Sequence, residues 1–269
     1  MIRVEALFIY PIKGCRGTRL DAASIGARGL EGDRRWMIVD DAGLFVTQRT
    51  APRLVLVRPV LEPDGVSLTI SGPESTPAPI RLPATHDTGD ELAIEVWSHR
   101  GPAVRHAAGS AWFSRFLGAP HHLVYMAERH LRPVNPERAR PGDIVSFADG
   151  YPFLLVSEAS LDDLNRRLDQ PIAMERFRPN IVVSGCEPFA EDGWARLAIG
   201  EIPFRGVKRC DRCVVTTVDL DTGARGPEPL RTLAKFRKDA GKVWFGMNLI
   251  HDRTGSLRVG DAVTLDGDP

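Results

Sequence analysis

Short runs of valine, isoleucine, leucine and threonine recur along the chain, separated by clusters of glycine, proline and aspartate. Short apolar or alternating runs bounded by turn residues predict strands. Residues 35–39 and 44–47 flank Asp40-Asp41-Ala42-Gly43, and residues 54–57 and 66–70 flank Pro63-Asp64-Gly65, so both are expected as hairpins. Further strands are expected at 2–10, 92–97, 153–156, 181–184, 213–218, 242–250 and 256–263. Three segments carry helical spacing instead: 109–117 with Trp112, Phe113, Phe116 and Leu117 before Gly118, one capped by Ser157 with Leu161, Leu164 and Leu168 inward, and one lined by Leu230, Leu233 and Phe236. Most connections are too short for repeated crossover helices. Residues 128–142 are charged, proline-bearing and aperiodic, which makes them the expected link or loop.

Composition acts by exclusion. In 269 residues, 35 Lys and Arg balance 35 Asp and Glu, so the basic footprint of a general nucleic-acid binder is missing. With 43% hydrophobic and 26% charged residues, the chain has the makeup of a folded globular protein. No apolar stretch approaches the roughly 20 residues that span a bilayer, and the N-terminus lacks the pattern of a secretory signal. A cytoplasmic protein without membrane contact is therefore expected. Four cysteines, Cys15, Cys186, Cys210 and Cys213, are too few and too scattered for a disulfide framework and are expected as free thiols or ligands. The histidines, His86, His121 and His122 among them, have no metal-ligating spacing.

The sharpest chemical feature is Lys208-Arg209-Cys210-Asp211-Arg212-Cys213, two thiols among cations. Nearby positive charge favours the thiolate, the form that attacks electrophiles and binds soft metals. A structural zinc site would need a second pair of ligands, and a thioredoxin-like pair would open a helix rather than precede the β-branched Val214-Val215-Thr216-Thr217-Val218. Two buried structural thiols are the plain alternative. If Cys213 begins a strand, alternation turns Cys210 away from it unless the turn before the strand redirects it. Elsewhere, Arg178 and Asn180 stand where the strand at 181–184 begins, and a guanidinium and an amide there can clamp an anion and a heterocycle edge. Lys13 and Gly14 follow the first strand, where an ammonium and bare backbone can approach a phosphate. Arg34 and Arg35 precede an aromatic strand, one as a ligand and the other as a surface charge. Asp149-Gly150-Tyr151 is a turn that can offer backbone N–H groups to a polar ligand. Taken singly, each of these reads as a plain turn or a solvated charge.

Taken in order, they resemble a family. Tyr10-Pro11-Ile12-Lys13-Gly14, Gly32-Asp33-Arg34-Arg35-Trp36, Pro52-Arg53-Leu54-Val55-Leu56, the run from Asp149-Gly150-Tyr151-Pro152 to Ser157-Glu158-Ala159-Ser160, Phe177-Arg178-Pro179-Asn180-Ile181, Glu191-Asp192-Gly193-Trp194 and Cys210-Asp211-Arg212-Cys213 with Thr222-Gly223 are similar to the MOSC superfamily. That family is named after the C-terminal domain of molybdenum cofactor sulfurase, and the resemblance is to the branch of the mitochondrial amidoxime-reducing component and its bacterial relatives. It implies a mainly β protein with some α: a β-barrel-like domain over 1–120, a link over 121–142, a MOSC β-barrel over 143–269 and a few peripheral helices. It implies a molybdenum–pterin cofactor (Mo-molybdopterin), with Cys213 as the thiolate ligand and Asp211 beside it. Lys13, Arg34 and Arg178 would hold the pterin phosphate or ring, Asn180 would bond the pterin, and Gly14, Gly150 and Tyr151 would border the cofactor. Asp149 would lie near the metal's open face as proton donor or water holder, a task that needs a raised pKa.

The implied reaction removes oxygen from an N-hydroxylated substrate such as an amidoxime, a hydroxylamine or a hydroxylated purine base. Electrons are expected from a separate flavoprotein or iron–sulfur donor, because the chain ends at Pro269 after its closing strand and has no plant-type cluster spacing. No counterpart of the targeting and anchoring segment of the mitochondrial relatives is expected, and Tyr151, where relatives have a small residue, is expected to narrow the substrate entrance. The competing expectation is a module that carries the cofactor, or carries sulfur as a persulfide on Cys213 or Cys210, without reducing a substrate. A metal-free interaction domain is the third, and the intact set of Lys13, Arg34, Arg178, Asn180 and Cys213 argues against it.

Overall fold

The structure, a computed structural model, describes residues 1–64, 67–73, 77–82 and 89–266. Gly65 and Val66 of the second expected hairpin, and His86, lie outside the described residues.

Seven strands close into a barrel. Phe153–Ser157 runs parallel to Ile181–Ser184. The ladder then continues antiparallel through Ile2–Ile9, Ala262–Leu265, Arg196–Ile199, Ile202–Asp211 and Lys242–His251, which pairs back onto Phe153–Ser157. The helix Glu158–Asn165 is the crossover that the parallel pair requires, and the Ser157 hydroxyl caps it by accepting from the Ser160 N–H. Alternate residues point inward, so Phe153 and Leu155, Ile181 and Val183, and Leu197 and Ile199 share one apolar core. Val4 and Leu7 face that core although their spacing is odd, because the ladder slips between Val4 and Ala6. The first strand, from the part expected as a separate domain, is thus a stave of the barrel that later residues complete.

The rest of the N-terminal part forms a five-stranded antiparallel sheet, in the order Glu91–Val96, His99–His106, His122–Tyr125, Trp36–Val39 and Phe45–Val46. It curls until Leu44 bridges back to Glu95. Both faces are buried: Trp36 and Ile38 meet Trp112 and Phe113 of the helix Ala107–Leu117, while Met37 and Val39 pack with Val124 and Met126. Residues 121–142, expected as a link, open with the strand His122–Tyr125, which is paired on both edges, and they bury Arg132. With three α-helices among the described residues, the protein is mainly β with a closed barrel and a half-barrel, as expected.

Three expected strands come out differently. Residues 54–57 fall in and beside a 3-10 turn, Pro52–Leu56, which opens on a proline, and pairing begins only at Arg58–Leu61. Residues 256–263 are parts of two strands, Gly255–Arg258 and Ala262–Leu265, divided by a turn at Gly260 (φ 94°) and belonging to different sheets. Residues 213–218 hold the 3-10 turn Val214–Thr217, in which the Thr216 and Thr217 hydroxyls donate to the Cys213 and Val214 carbonyls at 3.0 and 2.8 Å. These local bonds satisfy the backbone groups that the β-branched run would otherwise have offered to a ladder.

Candidate active site

A cleft of about 830 Å³ opens where turns of the N-terminal part meet the barrel. Lys13, Gly14 and Arg34 line it from one side, and the Asp149-Gly150-Tyr151 turn, Arg178, Asn180, Asp211 and Cys213 from the other. The structure thus brings together every residue singled out as a site candidate. Five cations, Lys13, Arg34, Arg49, Arg178 and Arg212, face two carboxylates, Asp149 and Asp211, in a chain that is neutral overall. Positive charge concentrated in a concave, low-dielectric site selects an anion. Of the two arginines expected as one ligand and one surface charge, Arg34 lines the cleft, while Arg35 is buried away from it, donating to the Met126 carbonyl at 2.5 Å and pairing with Glu128.

At one end, the Tyr10 ring is flanked by two guanidiniums, Arg34 at 4.3 Å and Arg178 at 4.2 Å from its centroid. Both arginines sit in the left-handed region (φ 49° and 57°), a strain that costs roughly 1–3 kcal/mol each and clusters at functional sites. Arg34 donates to Asp33 Oδ2 at 2.6 Å, to Asn180 Oδ1 at 3.1 Å and to the Arg178 carbonyl at 3.1 Å. Asn180 is engaged within the protein: Oδ1 also accepts from the Leu154 N–H, and Nδ2 donates to the Phe8 carbonyl. In this geometry it orders Arg34 and the start of a barrel strand. Arg178 Nη1 donates to the Cys15 carbonyl at 2.6 Å, whereas the buried Nη2 finds no partner among the described residues. A buried donor left unpaired in the wall of a cleft calls for an acceptor from a ligand. Burial, with Arg34 beside it, lowers the Arg178 pKa to about 10.

Lys13 is buried and donates to the Phe147 carbonyl at 2.9 Å and to Asp149 Oδ1 at 2.5 Å. Burial lowers its pKa to about 8, against the pull of Asp149. Partial desolvation beside Lys13 pushes the Asp149 carboxyl up, but Lys13, Arg49 and Arg34 together outweigh it and hold the group below the usual carboxylate range. Its side chain faces the open cleft and stays 68% exposed. This is the reverse of the raised value that a carboxyl donor needs, so near neutrality the proton of the pair resides on Lys13 Nζ. Behind the turn, Arg132 donates to the carbonyls of Ser146, Ala148 and Asp149 at 2.7, 2.5 and 3.0 Å and fixes the loop that presents Asp149.

At the other end, Cys210 and Cys213 both line the cleft, contrary to the alternation of a continuous strand. The ladder of Ile202–Asp211 slips between Arg209 and Asp211 and then gives way to the turn, which re-aims both side chains. Each sulfur has its own guanidinium: Arg212 Nη1 donates to Cys210 Sγ at 2.9 Å, and Arg49 Nη2 donates to Cys213 Sγ at 3.0 Å. Burial pushes the Cys210 thiol up, against Arg212. The Asp211 carboxylate pairs with Lys208 at 2.9 Å, and Tyr151 packs at the wall against the cluster of Val134, Val145, Ala148 and Ile250. Among the described residues, no three His, Cys, Asp or Glu side chains group to hold a bare metal ion. A metal here needs ligands that arrive with it.

Two family models match the chain, the MOSC N-terminal beta barrel domain over residues 1–120 and the MOSC domain over residues 142–264. The chain is 36% identical to mitochondrial amidoxime-reducing component 1 of Homo sapiens, over 98% of this chain and 83% of that protein. The chain belongs to the MOSC family. Within that family it is also 37% identical to mitochondrial amidoxime-reducing component 1 of Mus musculus and 36% identical to mitochondrial amidoxime reducing component 2 of Rattus norvegicus. These matches cover 98% and 97% of this MOSC chain and 82% of each relative.

Sequence reasoning missed three parts of this MOSC cleft. In the sequence Tyr10 is only the end of a strand, yet its ring is the surface between two arginines. Arg132 lay in a stretch without periodicity, and only its backbone acceptors show its task. Arg49 is 164 positions from the sulfur it meets, a separation at which no local spacing carries a signal. Arg212, between the two cysteines, was legible as nearby charge but not as the partner of Cys210. Among the described residues, no helix is long and apolar enough to cross a membrane.

Proposed function

We propose that this MOSC protein is a molybdenum-cofactor-dependent reductase of N-hydroxylated and N-oxygenated small molecules, supplied with electrons by a separate flavoprotein or iron–sulfur donor. The observation that carries the reading is one cleft lined by both the Cys213 thiol and five cations. The amidoxime-reducing relatives support the substrate class. The residues fit an anionic, sulfur-rich molybdenum–pterin cofactor: Arg178 Nη2 is a buried donor without a partner, Lys13 and Arg34 add fixed charge, and Cys213 offers a soft ligand. When bound, that cofactor supplies two-electron removal of oxygen from nitrogen.

The overall reaction breaks the substrate's N–O bond, consumes two electrons from the donor and two protons, and releases water with the amine or amidine. Cys213 would hold the metal end, while Arg34 and Arg178 would hold the anionic end. Lys13 Nζ, protonated near neutrality, stores a proton that Asp149 orients toward the cleft. Asn180 keeps Arg34 in place, and Tyr151, in the wall of the cleft, would narrow the substrate entrance.

The test is elemental mass spectrometry on protein from a host that makes the cofactor, together with amidoxime turnover driven by a reduced viologen. About one molybdenum per chain is expected in the wild type, falling at least roughly tenfold in Cys213→Ala. Retained molybdenum and activity in Cys213→Ala would sink the ligand assignment. Loaded wild type that reduces no N-hydroxylated compound would make the protein a carrier.

A further inference from the structure

Arg49 belongs to none of the motifs, yet the protein restrains it on several sides. Its own carbonyl and that of Gln48 accept from Arg225. Its guanidinium lies 4.7 Å from the centroid of the Trp97 ring. Trp97 is in turn held in a left-handed backbone conformation (φ 55°), with its ring 4.9 Å from that of Phe45. From this platform, Nη2 reaches Cys213 Sγ at 3.0 Å. An arginine side chain carries about 2 kcal/mol of rotamer entropy, and a planar group laid on an aromatic face spends less of it to aim its N–H edge. A guanidinium has N–H donors and no acceptor, so the edge it turns to the sulfur can only donate.

We propose that Arg49 is the positioning residue for the metal-ligating sulfur: a guanidinium, seated on Trp97, that fixes the place of Cys213 Sγ and withdraws electron density from it. The inference rests on the reading of Cys213 as the molybdenum ligand. Partners of a ligand orient it and set its basicity, and hydrogen bonds to ligating sulfur are a determinant of reduction potential. A donor on the sulfur weakens its donation to the metal and so raises the potential. Arg49 therefore biases the centre toward the reduced state that an oxygen-removing enzyme needs.

Two measurements test this, one without the cofactor. In cofactor-free protein, Cys213 is alkylated by anionic iodoacetate and by neutral iodoacetamide, and each rate is read from the mass of the Cys213 peptide. The ratio of rates cancels the ionised fraction of the thiol and reads the positive charge beside the sulfur. It is expected to fall roughly fivefold in Arg49→Ala, the effect of one unit charge about 4 Å away in a largely aqueous setting, and to hold in Arg49→Lys. In loaded protein, the molybdenum midpoint potential is expected to drop in Arg49→Ala and part of the way in Arg49→Lys, with kcat down roughly tenfold and KM unchanged. An unchanged rate ratio, or an unchanged potential at full molybdenum content, overturns the proposal. Should Arg49→Ala fail to fold, Trp97→Leu keeps the arginine and removes its platform, and it is expected to lower the potential by less; no change there overturns the role of the platform. If Cys213→Ala retains molybdenum, the ligand reading fails by itself, and the alkylation ratio still decides whether Arg49 serves Cys213.

Discussion

The two ends of the cleft are built on opposite plans. At the Tyr10 end Arg34 is buried and Arg178 half-buried, and the groups are gripped: Arg34 has three acceptors, Asn180 bonds on both sides of its amide, and both arginines hold strained backbone. At the thiol end Cys210 and Cys213 are half-buried, and each sulfur meets one guanidinium. Charge fixed before a ligand arrives lowers the ordering cost of binding, whereas a reacting centre needs room for the substrate to approach. On the proposed reading, the cleft thus separates a preset anion seat from an open metal end. The Lys13 and Asp149 pair is coupled to both, since Arg34 from the first and Arg49 from the second act on the same carboxylate.

The sharpest way to break this contrast is Arg34→Ala. It leaves the Asp33 carboxylate, itself buried, with the Tyr10 N–H but without its cation. Stranding a buried charge costs roughly 3–5 kcal/mol, so urea unfolding of cofactor-free protein is expected to show a loss of that size. A loss below about 1 kcal/mol, the range of an exposed pair, would mean that the seat is not preset.

Lys13 gives a pH-resolved test. Its folded pKa of about 8 lies below the ordinary 10.5, so between those values the unfolded chain binds more protons than the folded one. Stability therefore rises with pH across that window, and below it the full cost of burying the ammonium is present. Measured against Lys13→Met, which has no such group, wild type is expected to gain up to about 3 kcal/mol between the two values. A difference that stays flat from the lower value to the upper would show that Lys13 is not desolvated, and that it holds its proton as tightly as a solvated lysine does.

The same contrast explains what was legible in the sequence. Lys13, Arg34, Asp149, Arg178 and Cys213 stand in local motifs, and the motifs could be recognised one after another without knowing how the chain folds back. Arg49 and the Tyr10 ring owe their roles to contacts between distant segments, so nothing near them in sequence marks them. Residues 213–218 misled because a β-branched run suits a strand, while two threonine hydroxyls bonding back to carbonyls made a turn of it. Residues 256–263 misled because one alternating pattern can serve two strands when a glycine with positive φ divides them. The closure of the barrel by Ile2–Ile9 was out of reach of any window, since its partners lie more than a hundred residues away.

A finer test uses two glycines that local sequence does not distinguish. An added Cβ at Gly17 would stand 2.4 Å from Tyr10 Cε1 and 2.7 Å from Cδ1, against a ring that is itself 1% exposed and has no room to withdraw. An added Cβ at Gly150, in the wall of the cleft, would meet nothing within 4 Å. Overpacking a filled site costs about 1–3 kcal/mol, whereas a surface change away from special backbone stays within about 0.5 kcal/mol. Gly17→Ala is therefore expected to lower both stability and molybdenum content, because a displaced Tyr10 ring shifts Arg34 and Arg178 together. Gly150→Ala is expected to leave unfolding unchanged and to touch only cofactor loading. If Gly17→Ala keeps its molybdenum while losing stability, Tyr10 is packing and not the platform of the two arginines, and the anion seat is then set by Asp33 and Asn180 alone.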